Sequence, residues 1–177
     1  MKHSAPAMMK TYSSSKHGNT TKASRLRSSG KIRRIVIHNT GSRASAKNNC
    51  IYFAREGAET QASADYFIDK DGTIWKYNQP TKAYSWHAGD GHGKYGITNG
   101  NSIGIEVVSA GEEFTAAQKL ALKKLVLHLM EYFSVSAVHV VRHYDASRKI
   151  CPEAYSGALS TTKGRKWKKL KAYITSD

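Results

Sequence analysis

Arg33-Arg34-Ile35-Val36-Ile37-His38 is a β-branched run that ends on a histidine, followed by the loop residues Asn39-Thr40-Gly41-Ser42. It reads as a buried strand, with order beginning at Ile32. Working outward, residues 45–57 read as a helix, with Cys50, Phe53 and Ala54 on one face and Gly57 as a C-terminal stop. Tyr66-Phe67-Ile68 and Thr73-Ile74-Trp75 flank Asp69-Lys70-Asp71-Gly72, a hairpin signal in which Gly72 supplies the positive φ. Residues 78–101 show no periodicity and read as a long functional loop. Ile103-Gly104-Ile105-Glu106-Val107-Val108 reads as a strand. Phe114 to Phe133 is a helix: Thr115 and Gln118 form a capping box, and Leu122, Leu125, Val126 and Leu129 give an apolar stripe. Val138-His139-Val140-Val141 is a further strand, with His143 after it. Arg165 to Ile174 is a basic helix with Trp167, Leu170 and Ile174 inward. Strands alternating with helices predict an α/β domain: a single mixed β-sheet with helices packed on it.

The ends differ from the middle. The chain has 177 residues, 40% of them hydrophobic, which suits one domain with a real core. Its formal net charge is +15. Residues 1–34 hold nine Lys/Arg and no acid, and residues 161–177 hold six Lys/Arg and one acid. The stretch between them is nearly neutral, unlike a nucleic-acid binder with a basic face. Residues 1–30, rich in Ser, Thr, Lys and Arg, read as a flexible basic arm, leaving 31–177 as the folded domain. Basic ends attract polyanions, or serve as solvated faces that keep the chain soluble. No apolar run approaches the ~20 residues that span a membrane. The N-terminus has no apolar h-region, so no secretory signal peptide is expected.

Several residues stand out chemically. His38 lies at the end of one strand and His143 at the end of another, and Cys151 lies eight residues beyond His143. Two imidazoles and a thiolate make a catalytic zinc set with the fourth position left open. The competing reading makes them buried histidines and an inert thiol. Cys50 and Cys151 also allow one disulfide. Glu106 is a carboxylate in an apolar strand: a general base facing a cleft, or the exposed side of a half-solvated strand. Lys149, two residues before Cys151, is carried close to any metal there, where an ammonium stabilises an oxyanion. Alone it is a solvated surface lysine.

Taken together, these residues resemble the amidase-2 type of N-acetylmuramoyl-L-alanine amidase, the family of phage endolysins, bacterial autolysins and peptidoglycan recognition proteins. The matching stretches are Ile35–Thr40, Ala62–Asp69 with Asp71–Ile74, Trp86–Asp90, Asn101–Glu106, and Val141–Asp145 with Lys149–Pro152. They keep the family's order over about 32–155. The resemblance implies a peptidoglycan-recognition-like fold and one Zn2+ ion held by His38, His143 and Cys151. It implies Glu106 as general base and Lys149 as the stabiliser of the tetrahedral intermediate. Trp86, His87, Asn39 and Thr40 would contact substrate. Many relatives carry His where Asp65 stands, and some a tyrosine at the place of Ala64, so a tyrosine-assisted mechanism is not expected and Tyr66 is not its substitute. Cys151 is absent from non-catalytic recognition proteins and is Asp in a recycling branch, so it speaks for turnover.

The expected function is hydrolysis of the amide between N-acetylmuramic acid and L-alanine, lysing the wall. The alternative is a non-catalytic peptidoglycan-binding module. Expected partners are peptidoglycan and, through 1–34 and 161–177, anionic cell-wall polymers. No specific nucleic acid, no transmembrane segment and a monomer are expected. The protein would act on the wall after phage-type release from the host cytoplasm or by another export route.

Overall fold

A computed structural model describes residues 2–12 and 31–177. Among them, six strands form one mixed sheet: β1 (Met9–Thr11), β2 (Arg34–Asn39), β3 (Tyr66–Ile68), β4 (Ile74–Lys76), β5 (Ser102–Val107) and β6 (Val140–Arg142). Their spatial order is β1-β4-β3-β5-β2-β6. Neighbours are parallel except in the β3–β4 hairpin, where Tyr66 pairs with Lys76 and Ile68 with Ile74. Gly72 turns that hairpin with φ 87°. Among the described residues, four helices accompany the sheet: α1 (Ala46–Thr60), α2 (Ala116–Phe133), α3 (His143–Ser147) and α4 (Thr162–Ile174). The single mixed sheet with packed helices is the architecture that the alternation of elements predicts.

Side chains alternate across a strand, and that alternation sorts the molecule into two faces. Ile35 and Ile37 of β2, with Ile103, Ile105 and Val107 of β5, pack among Leu122, Leu125, Val126 and Leu129 of α2 and Trp167, Leu170 and Ile174 of α4. Each such side chain contributes about 1.5–3 kcal/mol by leaving water. The intervening residues turn to the other face. There Phe67 and Val108 meet Cys50 and Ala54 of α1, and Val36 meets Ala88, Ile97 and Ala146. His38 belongs to this second face, and the in-register parallel pairing of β2 with β5 sets Glu106 beside it.

The capping box on α2 is present, with Thr115 Oγ1 accepting from Gln118 N and Gln118 Oε1 accepting from Thr115 N. Several boundaries differ from expectation. The first helix runs through Gly57 to Thr60 and stops at Gln61, whose φ is 50°. A glycine in a helix costs only ~1 kcal/mol, less than the buried face of α1 returns. The last strand starts at Val140 because 137–139 form a 3-10 turn in which Val138 is 67% exposed. His143 begins α3 rather than ending a strand. Residues 2–12 are not a free arm: Met9, Lys10 and Thr11 pair with Ile74, Trp75 and Lys76, and the N–H groups of Lys2 and His3 donate to Glu131. The backbone of edge strand β4 offers hydrogen bonds to any extended segment, whatever its side chains. The rest of the expected arm, 13–30, lies outside the described residues. No described helix is long and apolar enough to cross a membrane.

Candidate metal centre and its cleft

Parallel strands place their C-terminal ends together, where open α/β sheets bind ligands. His38 arrives near the end of β2, and His143 starts α3 directly after β6. The loop after α3 returns Cys151, whose carbonyl accepts from Tyr144 N at 2.8 Å. His38 Nδ1 and His143 Nδ1 are 3.1 Å apart, and Cys151 Sγ is 3.9 Å from His38 Nδ1. The three donor atoms lie within 4.8 Å of one another. Cys50 sits in the separate cluster under α1, and both thiols are free, so the disulfide reading does not hold.

The surrounding hydrogen bonds decide where each imidazole carries its proton. Ser102 Oγ donates to the Thr98 carbonyl, so its oxygen accepts from His87 Nε2 at 3.1 Å. That leaves His87 Nδ1 as acceptor for His38 Nε2, 3.0 Å away. His143 Nε2 donates to Asp90 Oδ1 at 2.8 Å, and Ser147 Oγ holds Oδ2 at 3.0 Å. In both rings the lone pair therefore falls on Nδ1, and the two lone pairs point at each other. Burial, then the His143 and His87 imidazoles, hold His38 far below its ordinary pKa. Burial also lowers His143, against the opposing pull of Asp90. Burial and then the Glu106 charge push the Cys151 thiol up to about 12, although Asn39 N donates to its sulfur. Two facing lone pairs and a reluctant thiol are unfavourable without a cation between them. A soft-to-borderline divalent ion satisfies all three, and this N, N, S set suits zinc.

Glu106 borders the same place. Its Oε1 is 4.0 Å from His38 Nδ1, its side chain is 16% exposed, and Oε2 has no hydrogen-bond partner among the described residues. Burial raises its pKa to about 7, with the Lys149 ammonium opposing. The solvated-strand reading is thus excluded by position. A cleft of about 910 Å³ opens above the centre, lined by His38, Glu106, His143, Lys149 and Cys151 together with Asn39, Thr40, Trp86 and His87. Every site residue expected from the sequence lines it.

Their parts are not all as expected. His87 is 7% exposed with both ring nitrogens engaged, so it buttresses His38 rather than offering a free group to substrate. Asn39 donates to Ser109 O and accepts from Glu153 N, and Thr40 Oγ1 donates to Ser42 O. Those polar groups fasten the loop. Trp86 remains half-buried on the cleft wall. Tyr66 lies in the opposite core and faces away.

Three supporting residues gain a role only in the folded chain. Asp90 orients His143 across a gap of 53 residues. Ser102 ends the His87 relay. Asp65, fully buried, accepts from Gly104 N and Asn78 Nδ2, each at 2.8 Å, fastening β3 to β5 beneath His87. Gly104 has a steric reason: a Cβ there would stand 2.6 Å from His87 Cγ. The sequence signal for Asp90 was its place in the Trp86–Asp90 stretch, and for Ser102 and Gly104 their place before Glu106.

Comparison with known proteins places the chain in a family. Residues 28–154 match the family described as N-acetylmuramoyl-L-alanine amidase. The chain is 36% identical over 121 residues to the N-acetylmuramoyl-L-alanine amidase CwlA of Bacillus subtilis (strain 168), covering 67% of this chain and 42% of that protein. It is 32% identical over 146 residues to the N-acetylmuramoyl-L-alanine amidase XlyB of the same organism, covering 81% of this chain and 42% of that protein. It therefore spans less than half the length of these relatives. A mutant endolysin from Bacillus subtilis superposes with a TM-score of 0.69 at 28% identity, over 94% of this chain and 97% of that one.

Proposed function

Because the chain belongs to the N-acetylmuramoyl-L-alanine amidase family, we propose that it is a zinc-dependent hydrolase of the amide between N-acetylmuramic acid and L-alanine in peptidoglycan. The observation that carries this reading is the pair of facing Nδ1 lone pairs beside Cys151 Sγ, at the floor of a cleft that also holds Glu106. His38, His143 and Cys151 would hold one zinc ion. When bound, zinc supplies Lewis acidity at the cleft floor.

The chain's own residues do the rest. Glu106 Oε2, with no hydrogen-bond partner among the described residues and a pKa raised to about 7, takes the proton of the attacking water and passes it to the departing amine of L-alanine. The Lys149 ammonium, on the cleft wall, offsets negative charge that develops on the carbonyl oxygen. Asp90 and His87 keep the two imidazoles aimed, as outer-shell partners of metal ligands do. Trp86, with Asn39 and Thr40 shaping the neighbouring wall, contacts the substrate. Residues 31–177 form the catalytic unit, acting as a monomer on the cell wall. The basic stretches 1–34 and 161–177 draw the enzyme to anionic wall polymers, with no specific nucleic-acid partner. A non-catalytic peptidoglycan-binding module is the other reading, and Cys151 and Glu106 favour turnover over it.

Purified cell wall incubated with the protein tests this. The expected result is release of free amino groups on L-alanine, lost on zinc chelation and restored by added zinc. Wall binding with no new amino groups would favour the binding module instead.

A further inference from the structure

A second groove lies far from the metal centre. It is about 680 Å³ in volume and opens between the start of β2 and the end of α2, with Arg33, Arg34, Tyr132, Ser134, Ser136 and His139 on its walls. Arg34 begins β2 and His38 nears its end. At ~3.3 Å per residue the two are about 13 Å apart along the strand, so the groove faces the opposite end of the sheet from the cleft.

Its charge is uncompensated. Among the described residues neither Arg33 nor Arg34 joins an ion pair. Residues 1–34 contain no acid that would serve. Acids on the adjoining elements are engaged elsewhere: Glu131 accepts from Lys2 N and His3 N, and Asp145 takes two bonds from the Arg142 guanidinium. A third cation is close, since Lys171 Nζ donates to Val138 O at 3.1 Å. Burial, with Arg34 and Lys171 adding to it, holds His139 below its ordinary pKa. Like charges gathered this way weaken the fold, and an anion placed among them relieves the repulsion. The carbonyls at the end of α2 would oppose an anion, but the N–H of Ser134 and of Val135 cap Glu131 O and Met130 O.

The cations continue beyond the groove. Lys171, Lys168 and Arg165 recur at i, i+3 spacing on α4, so they share one face, and Lys168 and Arg165 are exposed. A row of cations leading into a groove fits a ligand with repeating negative charge better than one small ion. Two guanidiniums suit phosphate, which each grips with paired N–H groups. Ser134 and Ser136 add hydroxyl donors.

We propose that this groove, with the α4 row leading into it, binds the phosphodiester backbone of an anionic cell-wall polymer, Arg33 and Arg34 gripping its phosphates. The inference rests on the reading that the enzyme works at the wall, and it assigns the grip on that polymer to one place behind the sheet, leaving the catalytic cleft open to peptidoglycan.

The test is binding of a labelled glycerol-phosphate oligomer to the full chain across a salt series. R33Q/R34Q should bind at least tenfold more weakly, and its slope of log affinity against log salt should fall by roughly 0.7 for each phosphate that the arginines no longer neutralise. The charge-matched control K47Q/R55Q, on α1, should weaken binding far less. An equal weakening in both variants, or none in R33Q/R34Q, overturns the proposal. So does tighter binding, through the same arginines, of single-stranded DNA with the same number of phosphates. R33Q/R34Q should still cleave a soluble muramoyl-peptide at the wild-type rate. Failure of polymer binding with cleavage intact removes this inference alone, whereas a wild-type chain that cleaves nothing removes the hydrolase reading.

Discussion

Nδ1 of His38 faces Nδ1 of His143 across 3.1 Å, and the bonds behind each ring leave a lone pair on both atoms. The relay Thr98–Ser102–His87 fixes one ring and Asp90 with Ser147 fixes the other. The aim of the two imidazoles is therefore set by residues outside the His38–His143–Cys151 cluster.

Breaking either support should weaken zinc binding without unfolding the chain. H87A and D90N are each expected to lower zinc affinity by about 10–100-fold, measured by competition with a chromogenic chelator. G104A should act in the same direction, since its new Cβ would displace the His87 ring. Wild-type affinity in all three would refute the relay.

Glu106 and the ligands should separate cleanly. E106Q is expected to keep its zinc and lose about 10²–10⁴-fold in kcat, the range of a missing general base. Zinc content and turnover measured on one preparation check this. An E106Q enzyme with normal kcat would remove Glu106 from the mechanism.

Lys149 stands exposed at the cleft rim, so its loss should leave the fold and the zinc intact. K149A is expected to lower kcat by about 10²–10³-fold with little change in KM, as for other oxyanion donors. A rise in KM alone would mean that Lys149 binds ground-state substrate instead.

Acid stability should depend on a pair away from the site. The hydrogen bond from Lys70 Nζ, chiefly, holds the Glu112 carboxyl down to about 2 from its ordinary 4.5. A depressed acid contributes stability that is present above pH 4.5 and lost as pH falls through about 2. E112Q should therefore flatten the fall in thermal midpoint between these values, and high salt should flatten the wild type, since the pair is solvent-screened. An unchanged acid slope in E112Q would contradict this.

Much of the fold is written in local signals. The β-branched run before His38, the Gly72 turn and the Thr115 cap each act within a few residues, and each element formed where they pointed. β1 was not legible, because Met9–Thr11 has no pattern of its own and becomes a strand only where β4 offers its edge. The site was half legible. His38, His143, Cys151, Glu106 and Lys149 were singled out, but isolated spacing left them ambiguous, and only the resemblance gathered them. What brings Glu106 to His38 is the register of two parallel strands, which no local pattern encodes. Asp90 and Ser102 escaped for the same reason: their partners lie 53 and 15 residues away. His87 lines the cleft as the resemblance implies, but the engagement of both its ring nitrogens is invisible until the loop is folded.

Zinc stoichiometry on the wild type and on H38A tests the central claim most directly. Elemental analysis of freshly dialysed protein should find about one zinc per wild-type chain and almost none in H38A, with both melting as folded domains. A folded wild type that retains no zinc after incubation with it, or an H38A chain that binds as much as wild type, would contradict the account.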